Sequence, residues 1–379
     1  MTLSSVRLSL MIGRVVPTAA PAELMVALES VEVNQSDDGS AGFGQGFQIT
    51  FRATRDKAVT SQYAVVKNPL LKPGNRVVIS VTLSARPQVL IDGIITHHQF
   101  MPGKDARLVV TGQDLSVLMD TLELSMGYPA MNHAAIVALI LAKYAAFGIV
   151  PMIIPPLTSW TSTPLDKIPF QRGSDRSYLR TLAESHGYIF GIRPGPAPLV
   201  NYAYWGPLIK LSPPQKALNV DMGASTNVEG LNFTYDATAP EQVYGLIHLR
   251  DAKIPAPVLS LISLDLPPLS SKPAMIANQP FVRKSLLGYQ GNSVVEAYAQ
   301  AVSRTNRSAA RTVVGTGTLN ALRYRALLTA PGIVGVRGAG ADYDGYYYVK
   351  DVKHQIGPGE YKQSFTLTRD GTGTLVQKV

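Results

Sequence analysis

The sequence has no cysteine in its 379 residues. Disulfides, thiol nucleophiles and every zinc site built on thiolate are therefore excluded. Charge is scarce too. Asp, Glu, Lys and Arg make up 16% of the chain, below the usual quarter, while apolar residues make up 46%. So little charge on a chain long enough for two or three domains points to surface hidden against other chains. No run of five like charges occurs, so the net charge of +9 is spread out and not gathered in an arm. A diffuse excess suits an ordinary soluble surface or a channel that faces anions. The start carries an arginine, Arg7, inside its short apolar stretch and has no secretory-signal pattern. No uninterrupted membrane-spanning run is present either. The most apolar stretch, residues 134–157, holds Lys143 and then Gly148, Pro151, Pro155 and Pro156. It predicts a buried helix that stops near Gly148, followed by an extended segment.

Glycine (32) and proline (27) are plentiful, and they punctuate short strands. Residues 27–34, 47–53, 76–84, 89–100 and 107–111 are rich in Val, Ile, Thr and Phe. Turn signals at residues 36–39, Pro73-Gly74 and Pro102-Gly103 separate them. Evenly spaced strands of this kind predict a small antiparallel barrel, followed by a short helix over residues 114–122. The middle is mixed. Residues 133–147 read as a helix. Ser174-Asp175 caps another, in which Tyr178, Leu179, Leu182 and Ala183 recur at helical spacing. Gly187 ends that helix, and a strand follows over 188–192.

Strands return over 219–235, 242–249, 311–315, 332–337, 346–356 and 361–369. One amphipathic helix interrupts them. It carries Val294, Tyr298, Ala301 and Val302 on one face and Glu296, Gln300, Arg304 and Arg307 on the other. The segment 254–280 is too Pro-rich for a helix and too apolar for a free linker. It is either a loop packed on its own domain or an arm that grips a neighbouring chain. Val258, Leu259, Leu261, Ile262 and Leu264 would make that contact.

The two strand-rich parts resemble each other. Residues 96–114 and 352–370 align without gaps, pairing His98 with His354, Gln99 with Gln355, Pro102-Gly103 with Pro358-Gly359, and Asp114 with Asp370. Upstream, both parts carry a Pro-Gly (Pro73-Gly74, Pro331-Gly332) and an Asp-Gly (Asp92-Gly93, Asp344-Gly345) in the same order. A duplicated barrel implies a geometry: two similar modules per chain in a three-fold trimer make a ring of six. Such a ring can dock on a hexameric object at one end and a trimeric one at the other.

The stretch Phe170–Phe190 carries an acidic or polar start (Ser174, Asp175), an aromatic-Leu-x-x-Leu-Ala-Glu core (Tyr178, Leu179, Leu182, Ala183, Glu184) and a Gly-Tyr-x-Phe end (Gly187, Tyr188, Phe190). Further on come Gly315-Thr-Gly317, Arg323-Tyr324, Pro331-Gly332, Tyr343-Asp-Gly345, Val352, His354 and Phe365–Arg369. In this order the motifs resemble the baseplate hub family, which includes phage late control protein D and the N-terminal hub region of VgrG. The resemblance runs from about residue 27 to 369; the early strands match in pattern only, and residues 254–280 match no motif of the family. It implies a β-rich α+β fold of two tube-like antiparallel barrels, residues 1–128 and 206–379, with an α/β domain, 129–205, between them. The second barrel would include the helix at 293–309 and the loop at 254–280. It also implies a homotrimer whose pseudo-six-fold ring joins a hexameric tail-tube or tube-initiator protein to a trimeric spike. Other baseplate proteins would surround it, DNA or protein cargo would pass through it, and no membrane insertion is implied. Its place would be a virion baseplate or a phage-like injection particle, assembled in the bacterial cytoplasm. A fused spike would need more chain, so a separate spike protein is expected.

The chemical motifs read as structural. His97 and His98 point to opposite faces of a strand, and the other histidines lack metal-ligand spacing. His98 and His354 are expected to make equivalent hydrogen bonds. Gly42–Gly46 and Gly315–Gly317 are fragments of phosphate-loop patterns that read as hairpin or bulge glycines. Asp92 and Asp344 are expected in Asp-Gly turns. Glu184 could be a hydrolase acid, but Arg180 one turn earlier suggests an ion pair on an outer helix face. Tyr346 and Tyr348 share one face of a strand and Tyr347 takes the other, which suits a core and an interface better than base stacking. If the ring has a lumen, Arg86, Lys104, Arg107, Lys350 and Lys353 are the basic candidates to line it. No enzyme and no cofactor is expected. The alternatives are a peptidoglycan hydrolase, which would need an acid pair or a metal in a cleft, and a DNA-binding protein, which would show steep salt dependence.

Overall fold

The computed structural model describes residues 2–3, 6–14, 16–37, 45–55, 63–83, 86–156, 168–247, 255–288 and 294–376. The fold is α+β and β-rich, with large antiparallel sheets. The first half is built from β1 (Val6–Gly13), β2 (Leu28–Ser36), β3 (Gly46–Arg52), β4 (Arg76–Leu83), β5 (Arg86–Met101) and β6 (Arg107–Asp114). The alternation in sequence decides the faces. In β2, Val31 and Val33 are buried while Glu32 and Asn34 remain partly open. That is the period-two signature of a sheet with one wet face. The strands lie in the order β1-β4-β5-β6-β3-β2 around a core that includes Val31, Ile49, Phe51, Val77, Ile79 and Val110.

The middle comprises β7 (Glu123–Gly127), α1 (His133–Ala142), β8 (Ile149–Ile153), β9 (Phe170–Ser174), α2 (Asp175–Ser185), β10 (Ile189–Pro194) and β11 (Asn201–Gly206). The sheet β8-β11-β10 and the two helices enclose Ile136, Ile140, Leu179, Phe190 and Trp205. Asn132 caps α1 by accepting from the Ala135 N–H at 2.8 Å. The regular helix stops at Ala142, short of the expected residue 147. A 3-10 turn (Ala145–Phe147) follows and ends on Gly148, whose φ of 77° is left-handed. Lys143, the one charge in the apolar stretch, pairs with buried Asp175 at 2.5 Å. No helix among the described residues is long and apolar enough to cross a membrane.

The second half opens with β12 (Gln215–Asn219) and β13 (Gly230–Tyr235) and leaves for an insertion: β14 (Glu241–Ile247), β15 (Ala256–Ser260), β16 (Arg283–Leu286) and α3 (Val294–Ala309). It returns as β17 (Val313–Asn320), β18 (Gly332–Arg337), β19 (Gly345–Gly357) and β20 (Glu360–Arg369). Its sheet order, β12-β18-β19-β20-β17-β13, repeats the first half strand for strand. One orientation differs: β12 is parallel to β18, whereas β1 is antiparallel to β4. The halves are fused. A bulge at Lys350 turns β19, so that its first part pairs with β18 and its later part, residues 351–356, pairs with β2. A single sheet therefore runs β5-β6-β3-β2-β19-β20-β17-β13.

Several expectations change. The helix at 294–309 belongs to a separate unit with its own core of Val243, Ile247, Val258, Ala297 and Ala301, not to the second sheet. The expected strand 219–235 is two strands parted by a turn through Asp221 and Gly223, both at positive φ. Residues 38–39, 42–44, 84, 157, 248–249, 254 and 293 of the sequence readings lie outside the described residues, as does the Arg86 side chain. Asp92-Gly93 is no turn. It sits inside β5, where Asp92 is buried, takes a bidentate pair from Arg76 (2.6 and 2.7 Å) and accepts from Asn201 at 2.8 Å. The gapless repeat alignment is also out of register. Superposing the bulges at Thr96 and Lys350 places His98 on Val352 and Phe100 on His354. The turns differ as well: residues 102–106 bridge the first hairpin, but only Pro358 and Gly359 the second. Accordingly His98 faces the Leu71 carbonyl, while His354 is fully buried against Tyr361. Asp114 caps the 3-10 turn Leu115–Asp120, whereas Asp370 accepts from the Leu269 N–H, so these two are not counterparts either.

Candidate functional site

The eight-strand sheet has one face packed on the two cores and one polar face. Across the strands the polar face carries His97 and Gln99, Arg107 and Thr111, Gln48 and Thr50, Glu32 and Asn34, Lys353 and Gln355, Ser364 and Thr366, Thr316 and Thr318, and Asn232 and Thr234. Small hydroxyl and amide groups dominate, and three of the cations meet acids, while exposed Arg52, opposite Arg107, does not. Arg107 pairs with Glu29 at 2.6 Å, Lys353 with Glu32 at 2.8 Å and Lys362 with Glu360 at 2.6 Å. The face is polar without being strongly positive. Of the basic lumen candidates, Arg107 and Lys353 lie on it and Lys104 sits exposed in the hairpin turn at its edge. Lys350 does not join them. The bulge turns it to the other side, where it lines a cleft.

The β2–β19 joint holds the face together. Val31 meets Ile356, Val33 meets His354 and Gln35 meets Val352 on the inner side. All of these are buried, His354 completely. The His354 Nδ1 hydrogen-bonds with the Tyr361 hydroxyl at 2.8 Å, and Gln363 bridges to the Leu328 backbone. Burial pulls the His354 pKa down to about 3, so the ring is neutral. Gly315 and Gly317 are spacers here. A Cβ on Gly315 would stand 3.0 Å from the Phe233 ring, and one on Gly317 would stand 2.6 Å from the Phe365 ring and the Gly230 carbonyl.

The residues of the 170–190 motif fasten the middle section. Ser174 caps α2 by accepting from the Ser177 N–H at 3.2 Å, and its hydroxyl donates to Asp120 at 2.6 Å. Asp175 accepts from the Tyr144 hydroxyl and from Gln171. Leu179, Leu182, Ala183 and Phe190 are buried, and Tyr178 stacks on Tyr128 at 5.9 Å. Gly187 adopts a φ of 71° against Ser303 of α3. Glu184 is exposed and Arg180 half-buried, and both line a cleft of about 690 Å³ between α2 and α3. There the Glu184 carbonyl accepts from Ser303 (2.8 Å) and Arg307 (2.6 Å), so α3 caps the negative end of α2. The far rim of the cleft is Leu264, Asp265 and Leu266 of the Pro-rich segment, described from residue 255 onward. Its Leu259, Leu261, Ile262, Leu264 and Leu266 are exposed, while Val258 is buried in the insertion core and Leu269 under Tyr348 and Ile333. Tyr347 faces the other way into the core of the second half, as the alternation requires.

One pairing escaped the sequence. His133 Nδ1 and His186 Nε2, 53 positions apart, lie 2.8 Å from each other beside Trp205 and Tyr188. Burial and the neighbouring His133 hold the His186 pKa at about 4. Among the described residues, no group of three His, Asp or Glu could hold a metal ion.

No protein-family model and no curated protein sequence matches the chain. Solved structures do. The fold is that of phage tail proteins. The tail protein from Neisseria meningitidis matches with a TM-score of 0.63 at 12% identity, over 97% of each chain. The prophage MuSo2 tail protein from Shewanella oneidensis matches with a TM-score of 0.64 at 11% identity, over 97% of this chain and 100% of its own. An E. coli component of the type VI secretion system matches with a TM-score of 0.52 at 15% identity, over 90% of this chain and 73% of its own.

Proposed function

We propose that the chain is a structural hub of a contractile tail or related injection particle. Three copies form a ring of six similar modules around a channel, and the ring joins a hexameric tube to a trimeric spike. The observation that carries this is the repeated six-strand order, fused edge to edge through β2 and β19. A chain that already joins two like modules by an edge needs only the same joint between copies to close a ring. Barrels of 16–18 strands already leave an aqueous channel, and three copies of an eight-strand sheet exceed that. The polar face supplies a wettable wall, and the pairing of three of its cations with acids limits retention of anionic cargo. The exposed Leu259–Leu266 strip and the cleft beside it would be buried against neighbouring baseplate chains. The fold shared with tail proteins and a type VI secretion component supports the same reading.

The native mass tests it. The purified chain, alone or mixed with its hexameric tube protein, is expected to run as a trimer in light scattering and to appear as a six-lobed ring by electron microscopy. A strict monomer in both conditions refutes the reading. A zymogram on peptidoglycan decides against the enzyme alternative if no cleared band appears.

A further inference from the structure

The cleft between α2 and α3 combines two chemistries in its lining. Ile154, Leu264, Leu266 and Tyr298 line it and are exposed. Arg180, Arg307, Arg311 and Lys350 line it too. Three acids share the lining. Asp37 is buried, Asp265 is taken by Lys210 at 2.7 Å, and Glu184 is exposed. Arg307 is held in place by the Glu184 carbonyl (2.6 Å) and the Ser303 hydroxyl (2.9 Å), so it keeps its charge at the cleft. Among the described residues, neither Arg311 nor Lys350 meets an acid. Arg307, Arg311 and Lys350 therefore stand against one open carboxylate, and the open charge of the cleft is positive.

We infer that the cleft binds an acidic, apolar peptide segment of another protein of the particle. This deepens the hub reading, in which this surface meets neighbouring chains, by naming what the neighbour presents. The volume of about 690 Å³ lies within the about 300–1,000 Å³ of clefts that hold ligands. The shape of the apolar surface favours an extended occupant. Exposed leucines do not stop at the cleft: Leu259, Leu261 and Ile262 carry them outward along the Pro-rich segment. A compact ligand would fill the cleft and leave those side chains wet, whereas an extended chain covers both. Its carboxylates answer Arg311 and Lys350, and its apolar side chains cover Leu264 and Leu266. Duplex DNA would answer the cations but offers no apolar side chains to these leucines.

The rim is built to stay in place. Asn306 of α3 accepts from the Leu264 N–H at 2.8 Å, and the Lys210 ammonium donates to the Asp265 carbonyl at 3.2 Å as well as pairing with its carboxylate. The exposed leucines are thus tied to α3 and to a buried lysine, which lowers the ordering cost of binding.

Fluorescence anisotropy with the full chain and labelled synthetic peptides tests the site. The probe alternates leucine with glutamate. One control peptide replaces its glutamates by lysine, and another replaces its leucines by serine. The probe is expected to bind saturably, and each control about tenfold more weakly or worse. Arg311→Glu, at an exposed position, and Leu266→Ser, at a side chain 72% exposed, are each expected to weaken the probe about fivefold or more without moving the thermal midpoint. Lys72→Glu makes the same change of net charge at an exposed residue outside the cleft and is expected to keep the affinity. Controls that bind as tightly as the probe, equal losses in Lys72→Glu and Arg311→Glu, or no saturable binding overturn the proposal. Light scattering of the same samples separates it from the hub reading. Trimers without selective binding overturn the cleft site and leave the hub standing. Selective binding by a strict monomer upholds the site and overturns the hub. A probe that splits trimers marks the cleft as a contact between copies and overturns the proposal.

Discussion

Acidification should destabilise this fold, and the buried histidines set the size of the effect. His354 sits at the internal joint with Nδ1 bonded to Tyr361, and its Nε2 meets no hydrogen-bonding group among the described residues. A second proton would be buried without a partner. Its pKa therefore falls from 6.5 to about 3 on folding, and that of His186 falls to about 4. The unfolded chain takes up these protons first, so stability is full above pH 6.5 and is lost as pH falls toward the folded values. Each histidine costs roughly 1.4 kcal/mol per pH unit, or about 2 kcal/mol each at about pH 5. Asp114 works against them. Burial raises its pKa from 3.8 to about 6, so its penalty is relieved as pH falls below 6. That returns roughly 1.4 kcal/mol by about pH 5, for a net loss of about 2.7 kcal/mol relative to neutral pH. Urea unfolding followed by circular dichroism at the two pH values measures it. His354→Leu provides the internal check. It weakens the protein at neutral pH by about 1–3 kcal/mol, because Tyr361 loses its partner. It should also cut the net acid loss by about 2 kcal/mol, leaving less than about 1 kcal/mol. If the variant and the parent lose the same stability between the two pH values, His354 is not a buried neutral group and the account of the joint fails.

Other substitutions separate buried links from surface ones. Asp92→Ala strands Arg76 and Asn201 and should cost about 3–5 kcal/mol, whereas Glu29→Ala, which breaks the exposed pair with Arg107, should cost less than about 1 kcal/mol; urea midpoints decide between equal and unequal effects. Trp205→Ala empties the centre of the middle domain and should cost about 3–5 kcal/mol by the same assay. Arg307→Ala removes a charged cap from α2 and should speed limited proteolysis in the 241–309 insertion, with cleavage of the main sheet unchanged. Because three cations of the polar face meet acids, affinity for a DNA duplex should depend weakly on salt, with a logarithmic slope below about 2; a slope of about 6 or more would show an unneutralised binding surface.

The strands were legible because one face of the sheet is wet, and alternation marks such strands one by one. The α2 helix was legible through the Ser174 cap and the spacing of its apolar residues. The repeat was visible in the turns, but its register was not. A one-residue bulge and a change of turn length leave no mark on a gapless alignment, yet they shift which side chains superpose. The insertion around α3 was hidden because its strands are short and the Pro-rich segment divides them. The His133–His186 contact depends on how α1 and the end of α2 converge, which no local pattern records. The joint itself was invisible for a deeper reason: side-chain alternation reports the faces of a strand and says nothing about its edges.

The joint between the halves is polar at its centre, and its setting within one chain allows that. The internal joint connects strands of one chain, so it carries no translational cost of association. It can place a buried histidine and its Tyr361 and Gln363 partners at its centre. Such groups demand one alignment, since a one-residue slip would bury them unpaired.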